Sequence, residues 1–127
     1  MTHCTLTQLP KAPSAPAVAR QVIDGVERLR PEVAINARLL VSELVANAVR
    51  HVRRDGQIGM QVAVHNDSLR VEVVDPGSGF QPRARTPQSP LGSGWGLHLV
   101  DELSDRWGVD ASGPTRVWFE IDDATGA

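Results

Sequence analysis

Three polar side chains recur at helical spacing near the middle of this 127-residue chain. Glu43, Asn47 and His51 are four residues apart, so each step turns only about 40° around an α-helix. Their row overlaps the edge of an apolar stripe, which consists of Val33, Ala37, Leu40, Val41, Leu44, Val45 and Ala48. A carboxylate, an amide and an imidazole at a core margin are costly unless their hydrogen bonds are filled. The row predicts the floor of a pocket for a polar ligand, and the alternative is a solvated edge with His51 as a C-terminal cation.

A second group of polar residues follows the apolar run VEVV, in the segment Asp75-Pro76-Gly77-Ser78-Gly79. A carboxylate at the end of a strand can accept a hydrogen bond from an exocyclic amine. The glycines Gly77 and Gly79 would let the backbone come close to a flat ring. The alternative is a tight Pro-Gly turn in which Asp75 only caps the loop.

A third segment, Gly92-Ser93-Gly94-Trp95-Gly96-Leu97, leads directly into a helical pattern. Its glycines allow successive backbone N–H groups to converge, and a helix N-terminus adds partial positive charge, so a phosphate suits it. The dinucleotide fingerprint is excluded because no strand precedes the segment, and a Walker loop is excluded because Gly-Lys-Ser/Thr is absent. The alternative is a flexible hinge.

The elements that position these groups follow from the hydrophobic periodicity. Helical spacing predicts three helices, over Ala17–Arg30, Pro31–Val52 and Trp95–Leu103. Alternation predicts five strands, near Thr5–Leu9, Met60–Val64, Leu69–Val73, Trp107–Ala111 and Val117–Ile121. His65-Asn66-Asp67-Ser68 predicts a hairpin turn. Hairpins without βαβ crossovers predict an α/β (α+β) two-layer sandwich, with a mainly antiparallel mixed β-sheet and helices on one face.

The stretch from Asp75 to Gly94 contains four prolines and four glycines, which disfavours a regular element. Its length predicts a functional lid, at about residues 80–93. Arg83 and Arg85 in this lid could reach a terminal phosphate or be solvated loop charges.

The bulk composition predicts one domain over residues 1–127. With 41% hydrophobic and 22% charged residues the chain is ordinary for a globular protein. A net charge of −2 provides no electrostatic reason to expect nucleic acid or an anionic membrane as a partner. Because Cys4 is the single cysteine, a disulfide framework and a thiolate metal cluster are excluded. No signal peptide or membrane-spanning run is evident, so a cytoplasmic protein is expected.

Together the three motifs resemble those of the GHKL superfamily, the ATPase and kinase fold of gyrase, histidine kinases and a chaperone. ELVANAVRH is similar to its N box, DPGSG to its G1 box, GSGWGL to its G2 box and GPTRVWFEI to its last segment. Order and spacing match from Ala17 to Ile121. The compact size, SELVANAVRH and ELSDRWGV resemble more narrowly the bacterial anti-sigma-factor serine/threonine kinase branch. The resemblance implies a Bergerat ATP-binding fold of histidine-kinase type.

By this resemblance, Asn47 would coordinate Mg²⁺ and Glu43 would be the general base. Asp75 would accept from the adenine amino group. The remaining positions assigned to ATP binding are Gly77 and Gly79 near the base, Gly94, Gly96 and Leu97 around the phosphates, Thr115 near either, and Arg50 and His51 within reach of the ligand.

The resemblance implies a kinase that uses ATP and Mg²⁺ to phosphorylate an anti-sigma-factor antagonist, and that also sequesters a sigma factor by direct contact. The alternative is a non-catalytic switch in which ATP closes the lid and controls partner binding. A detached histidine-kinase module is disfavoured, because no dimerisation hairpin with a phospho-accepting histidine is seen. Family members often form homodimers, but no feature of this sequence fixes the oligomeric state. Trp95 could serve a partner surface or cover the nucleotide.

Overall fold

The computed structural model describes residues 2–51, 57–75, 95–110 and 114–126, with backbone alone for residues 2, 3, 51 and 95–97. The helices are α1 (Ala15–Asp24), α2 (Pro31–His51) and α3 (Trp95–Leu103). The strands are β1 (Thr2–Leu9), β2 (Ile58–His65), β3 (Ser68–Asp75), β4 (Arg106–Asp110) and β5 (Thr115–Ile121). Within these residues, none of the helices is long and apolar enough to traverse a bilayer.

The five strands form one sheet in the order β1-β2-β3-β5-β4, and every neighbouring pair is antiparallel. The β2–β3 hairpin turns through Asn66 and Asp67, whose φ angles of 50° and 65° are both left-handed. Two such residues form the hairpin turn that matches the right-handed twist of the strands. The predicted mainly antiparallel sheet and the predicted turn are therefore confirmed, although no parallel pair occurs among the described strands, so the sheet is not mixed there.

The helices cover one face of this sheet. Buried and part-buried residues alternate along β3 and β5, as expected for strands with only one face in the core. The core combines that face with the inner sides of the helices; its larger members include Leu40, Val41, Val45, Met60, Leu69, Val71, Val100 and Phe119. The predicted two-layer sandwich is confirmed.

Helix α1 is shorter than predicted at its C-terminal end. The sequence predicts Ala17–Arg30, whereas the helix spans Ala15–Asp24 and is followed by Gly25. Val26 and Leu29 continue the helical spacing of apolar residues, yet they pack against the core from an irregular connection. The prediction was wrong for these last residues, because burial of both side chains does not require a helix.

Candidate functional site

The start of helix α2 is fixed at one end of the sheet. The Arg30 N–H donates a 2.8 Å hydrogen bond to the carbonyl oxygen of Ala124, just after strand β5 ends at Ile121. Ile121 lies opposite Leu69, near the beginning of β3. Because α2 packs against β2 and β3, the helix must run from this end of the sheet towards the other.

Asn47 therefore lies over the opposite end of the sheet. From Pro31 to Asn47 the helix rises by about 24 Å, while β3 advances by about 20 Å from Leu69 to Asp75. The chain after α2 re-enters the sheet at Ile58, adjacent in sequence to Gly59, which pairs with Val74. Both connections place the C-terminal part of α2 at the Asp75 end.

Helix α3 begins at this same end. After α3, the Asp105 N–H donates a 2.8 Å hydrogen bond to the Glu120 carbonyl oxygen, and β4 starts opposite Glu120. Since α3 packs beside β4 and runs in the reverse direction, its N-terminus lies towards the start of β5. Gly96 and Leu97 occupy its first turn, where backbone N–H groups have no partner within the helix.

Asp75 and Thr115 face each other across the ladder between β3 and β5. Asp75 is the last residue of β3 and Thr115 the first of β5, and their exposed fractions are only 3% and 2%. Both lie on the sheet face that the helices cover, in register with the buried pair Val73 and Val117. A carboxylate and a hydroxyl thus meet where the end of α2 and the start of α3 converge.

Asn47 is 9% exposed and its side-chain oxygen is engaged within the protein. Arg50, whose side chain is exposed, donates a hydrogen bond of 3.2 Å from Nη2 to Asn47 Oδ1. Glu43, one turn before Asn47, is half-buried. Among the described residues, every fully buried side-chain nitrogen or oxygen has a hydrogen-bond partner. The position of these groups, and not a missing partner of a fully buried atom, therefore indicates a site in the described chain.

A polar contact that the sequence did not reveal supports α2 beside Glu43. Arg20 of α1 donates a 2.9 Å hydrogen bond from Nη1 to Ser42 Oγ, which itself donates to the Arg38 carbonyl oxygen at 2.7 Å. Because consecutive residues of a helix are turned by about 100°, fixing Ser42 against α1 directs Glu43 away from α1. Sequence periodicity contains no signal for this pairing.

Several predicted residues fall outside the described part of the chain: Gly77, Gly79, Gly94, Arg83, Arg85 and the lid over residues 80–93. His51, Trp95, Gly96 and Leu97 are placed by their backbone alone, at the end of α2 and the start of α3. The side chains that the structure does bring to one end are those of Asn47, Asp75 and Thr115.

The donor set at this end fits a nucleotide better than a metal alone. No group of three or more His, Cys, Asp or Glu side chains suited to a metal occurs in the described ranges. Mg²⁺ in phosphate sites needs few protein ligands, because it keeps waters and phosphate oxygens, so one amide oxygen is compatible with it. A separate cavity of about 600 Å³, lined by Arg28 to Pro31 with Thr125 and Gly126, lies at the start of α2, far from Asn47.

Comparison with known families decides the identity of this fold. Residues 8–121 match the family described as histidine kinase-like ATPase domain. The chain belongs to this family. Membership in the histidine kinase-like ATPase domain family confirms the predicted superfamily. It also implies that the domain uses ATP.

Two curated relatives of this histidine kinase-like domain are named serine-protein kinase RsbW. The one from Bacillus pumilus is 27% identical over 106 residues, covering 77% of this chain and 64% of the relative. The one from Listeria monocytogenes is 27% identical over 115 residues, covering 77% of this chain and 73% of the relative. The chain thus spans 64% of the length of the first relative, which is less than two thirds, and 73% of the second. Their names confirm the resemblance to the anti-sigma-factor kinase branch.

A solved structure shares the fold of this domain. The crystal structure of the RsbU and RsbW domains of a Mycobacterium tuberculosis protein superimposes with a TM-score of 0.75. The match is 16% identical in sequence and covers 98% of this chain and 33% of that chain. The similarity confirms the predicted fold.

Proposed function

We propose that this protein is an ATP- and Mg²⁺-dependent protein serine/threonine kinase that phosphorylates an anti-sigma-factor antagonist and thereby sets the availability of a sigma factor. One observation carries the proposal. The buried polar side chains of the described chain are Asn47, Asp75 and Thr115, and all three lie at the end of the sheet where α2 finishes and α3 begins. A few polar groups gathered in an otherwise apolar setting are typical of a ligand site.

The nucleotide base would lie against Asp75, with its amino group donating to the buried carboxylate. Thr115, opposite Asp75 in the ladder, would contribute a hydroxyl beside the base or the phosphates. The first turn of α3, with Gly96 and Leu97, would present backbone N–H groups and a positive dipole end to the phosphates. Base and phosphates would therefore be held by different elements that meet at one end of the sheet.

Asn47 would hold Mg²⁺ through Oδ1, and the Arg50 guanidinium that donates to this oxygen would oppose the ion. ATP supplies the transferable phosphoryl group, and Mg²⁺ neutralises charge on its oxygens. Glu43, one turn before Asn47, would accept the proton of the attacking serine or threonine hydroxyl. Phosphoryl transfer depends mainly on positioning and charge neutralisation, so a site with one base and several fixed donors is sufficient.

The proposal is tested by incubating the protein with γ-³²P-ATP, Mg²⁺ and purified anti-sigma-factor antagonists. Transfer of label to a serine or threonine of an antagonist is expected, and an antagonist with that hydroxyl replaced by alanine should stay unlabelled. Binding of ATP without labelling of any antagonist would overturn the kinase activity and leave a binding module.

That binding module is the second candidate, a non-catalytic switch in which ATP controls partner binding. The hydrogen bond from Arg50 to Asn47 Oδ1 favours it, because the oxygen proposed for Mg²⁺ is engaged by a cation. In that case ATP would change the affinity for a sigma factor or an antagonist without any covalent change in either. Both candidates act on protein partners in the cytoplasm, and equilibrium sedimentation with and without ATP would determine whether either acts as a homodimer.

A further inference from the structure

Two large apolar side chains are exposed on helix α2, next to the polar row. Ile35 is 66% exposed and Leu39 is 42% exposed, whereas the stripe from Val33 to Ala48 on the other side of the helix is buried. Ile35, Leu39 and Glu43 are each four residues apart, so they follow one another along the same side of α2. We call Ile35 and Leu39 the α2 strip.

Two ion pairs border the α2 strip. Arg38 forms an ion pair with Asp24 of α1, and Arg30 forms one with Glu32 at 2.6 Å. The strip is therefore an apolar patch bordered by these two ion pairs and by the Glu43 carboxylate, and neither pair gives it a strong attraction for a polyanion. Such a patch is suited to another apolar surface.

We propose that the α2 strip docks the protein substrate of the kinase, an inference that rests on the function proposed above. The acceptor hydroxyl must approach Glu43, and the strip is the surface that leads to Glu43 along the helix. Leu39 lies about 6 Å and Ile35 about 12 Å from Glu43 along the helix axis. The substrate would thus carry apolar side chains about 6–12 Å from its acceptor hydroxyl.

This position separates substrate docking from nucleotide binding. ATP is proposed to lie between Asp75, Thr115 and the start of α3, at the sheet end that Asn47 overlies. The α2 strip lies on the side of Glu43 towards the start of α2, away from that end. A protein that covers the strip and places a hydroxyl at Glu43 therefore need not compete with the nucleotide.

The test compares the double variant Ile35→Gln/Leu39→Gln with the parent. Glutamine is a good helix former, so the exchange removes apolar surface without removing helix propensity. Leu6→Gln is the matched control, because Leu6 is 73% exposed and lies on strand β1, in register with Gln61 on the sheet face away from the helices. The probe is a purified anti-sigma-factor antagonist that the parent labels.

For the double variant, KM for the antagonist should rise about tenfold, since the apolar contact of two side chains is lost. The kcat, the Kd for ATP and the melting temperature should stay at the parent values, as should every value for Leu6→Gln. An unchanged KM would overturn the docking proposal while leaving the kinase intact.

Three other results would also overturn it. Weaker ATP binding or a lower melting temperature would indicate that the strip contributes to the fold or to the nucleotide site of this chain. A smaller assembly in sedimentation would indicate that a second copy covers it. If the parent binds ATP but labels no antagonist, the proposed kinase function has failed and the docking inference fails with it.

Discussion

Arg50 Nη2 lies 3.2 Å from Asn47 Oδ1 and donates a hydrogen bond to it, within one turn of helix α2. The oxygen that would bind Mg²⁺ is thus held by a guanidinium group. A cation bound at the same oxygen would be repelled by that guanidinium, so the proposed Mg²⁺ binding and the Arg50 contact should weaken each other. The pair would thus couple the conformation of Arg50 to the occupancy of the proposed Mg²⁺ site.

Removing the guanidinium should make Mg²⁺ binding easier. In Arg50→Gln, the Mg²⁺ concentration needed for half of the ATP-dependent thermal shift is expected to fall severalfold, because no charge has to be displaced from Asn47. In Asn47→Ala the shift should become the same with Mg²⁺ and with EDTA. An increase in the required Mg²⁺ for Arg50→Gln would instead show that Arg50 contacts the ligand directly.

If Glu43 is the general base, its substitution should impair phosphoryl transfer without impairing ATP binding. Glu43→Gln should bind ATP about as well as the parent, but phosphoryl transfer should fall by about 10²–10⁴-fold, because the amide cannot accept the proton. The measurement is single-turnover labelling of an antagonist at saturating ATP. Glu102→Gln on α3, whose side chain is 61% exposed, is the control and should transfer at the parental rate. Transfer by Glu43→Gln within a factor of three of the parent would refute the assignment.

Asp75 should determine the choice of nucleobase. In Asp75→Asn the carboxylate becomes an amide that can donate to guanine O6, so ATP affinity should fall about tenfold and the preference for ATP over GTP should narrow. Competition calorimetry with both nucleotides measures this ratio. Glu72→Gln, on the same strand but the opposite face, should leave the ratio unchanged. An unaltered preference in Asp75→Asn would place the base elsewhere.

A cluster of ion pairs on the uncovered face of the sheet predicts acid sensitivity. A hydrogen bond from Arg106 at 2.8 Å, and a second from Arg70 at 3.1 Å, lower the pKa of Glu120 below its ordinary value of 4.5. The Arg106 guanidinium likewise lowers the pKa of Asp122 below 3.8.

The folded state therefore binds these protons less readily than the unfolded state. The stabilisation is complete above about pH 4.5 and is lost as the pH falls through the lowered pKa values. Urea unfolding between roughly pH 3 and pH 6 should show a steeper loss of stability for the parent than for Arg106→Gln. Parallel profiles for the two proteins would contradict the role of this cluster.

Gly108 should not tolerate a side chain. A Cβ at this position would lie 2.8 Å from three atoms of the Trp118 indole. Arg70 stacks on the same indole, with Cζ 4.3 Å from the ring centroid. Gly108→Ala is expected to lower the free energy of unfolding by about 1–3 kcal/mol.

Gly59→Ala is the control, because its Cβ would meet Val74 Cβ at an ordinary 3.6 Å. Its effect should stay within about 0.5 kcal/mol. Chemical denaturation of both variants provides the comparison, and equal stabilities would mean that the indole can move aside.

Local patterns were sufficient for much of the fold. Helix α3 begins at Trp95 and ends at Leu103 as the spacing predicts, because its apolar positions are flanked by a glycine-rich segment before it and a strand after it. The hairpin follows from Asn66 and Asp67, residue types that accept left-handed φ angles. The sequence also indicated Asp75 as a candidate site residue, since a carboxylate ends a strand whose inward-facing residues are apolar.

Other features depend on contacts between residues distant in sequence. The end of α1 could not be read from periodicity, because Arg28 turns the chain with a φ of 65° and Leu29 bridges to Thr125, almost a hundred residues later. The register that sets Thr115 opposite Asp75 likewise appears only when β5 pairs with β3. Arg50 and Asn47 are three residues apart and on one helical face, but the sequence does not specify which partner the arginine selects.

The most direct test of the proposed nucleotide site is a thermal shift of the parent with ATP, ADP and GTP, each with Mg²⁺ or with EDTA. We expect the largest stabilisation with ATP and Mg²⁺, a smaller one with ATP and EDTA, and little with GTP, and we expect Asp75→Asn to reduce the ATP effect. Equal shifts with ATP and GTP, or no shift with ATP and Mg²⁺, would contradict a nucleotide site at Asn47, Asp75 and Thr115.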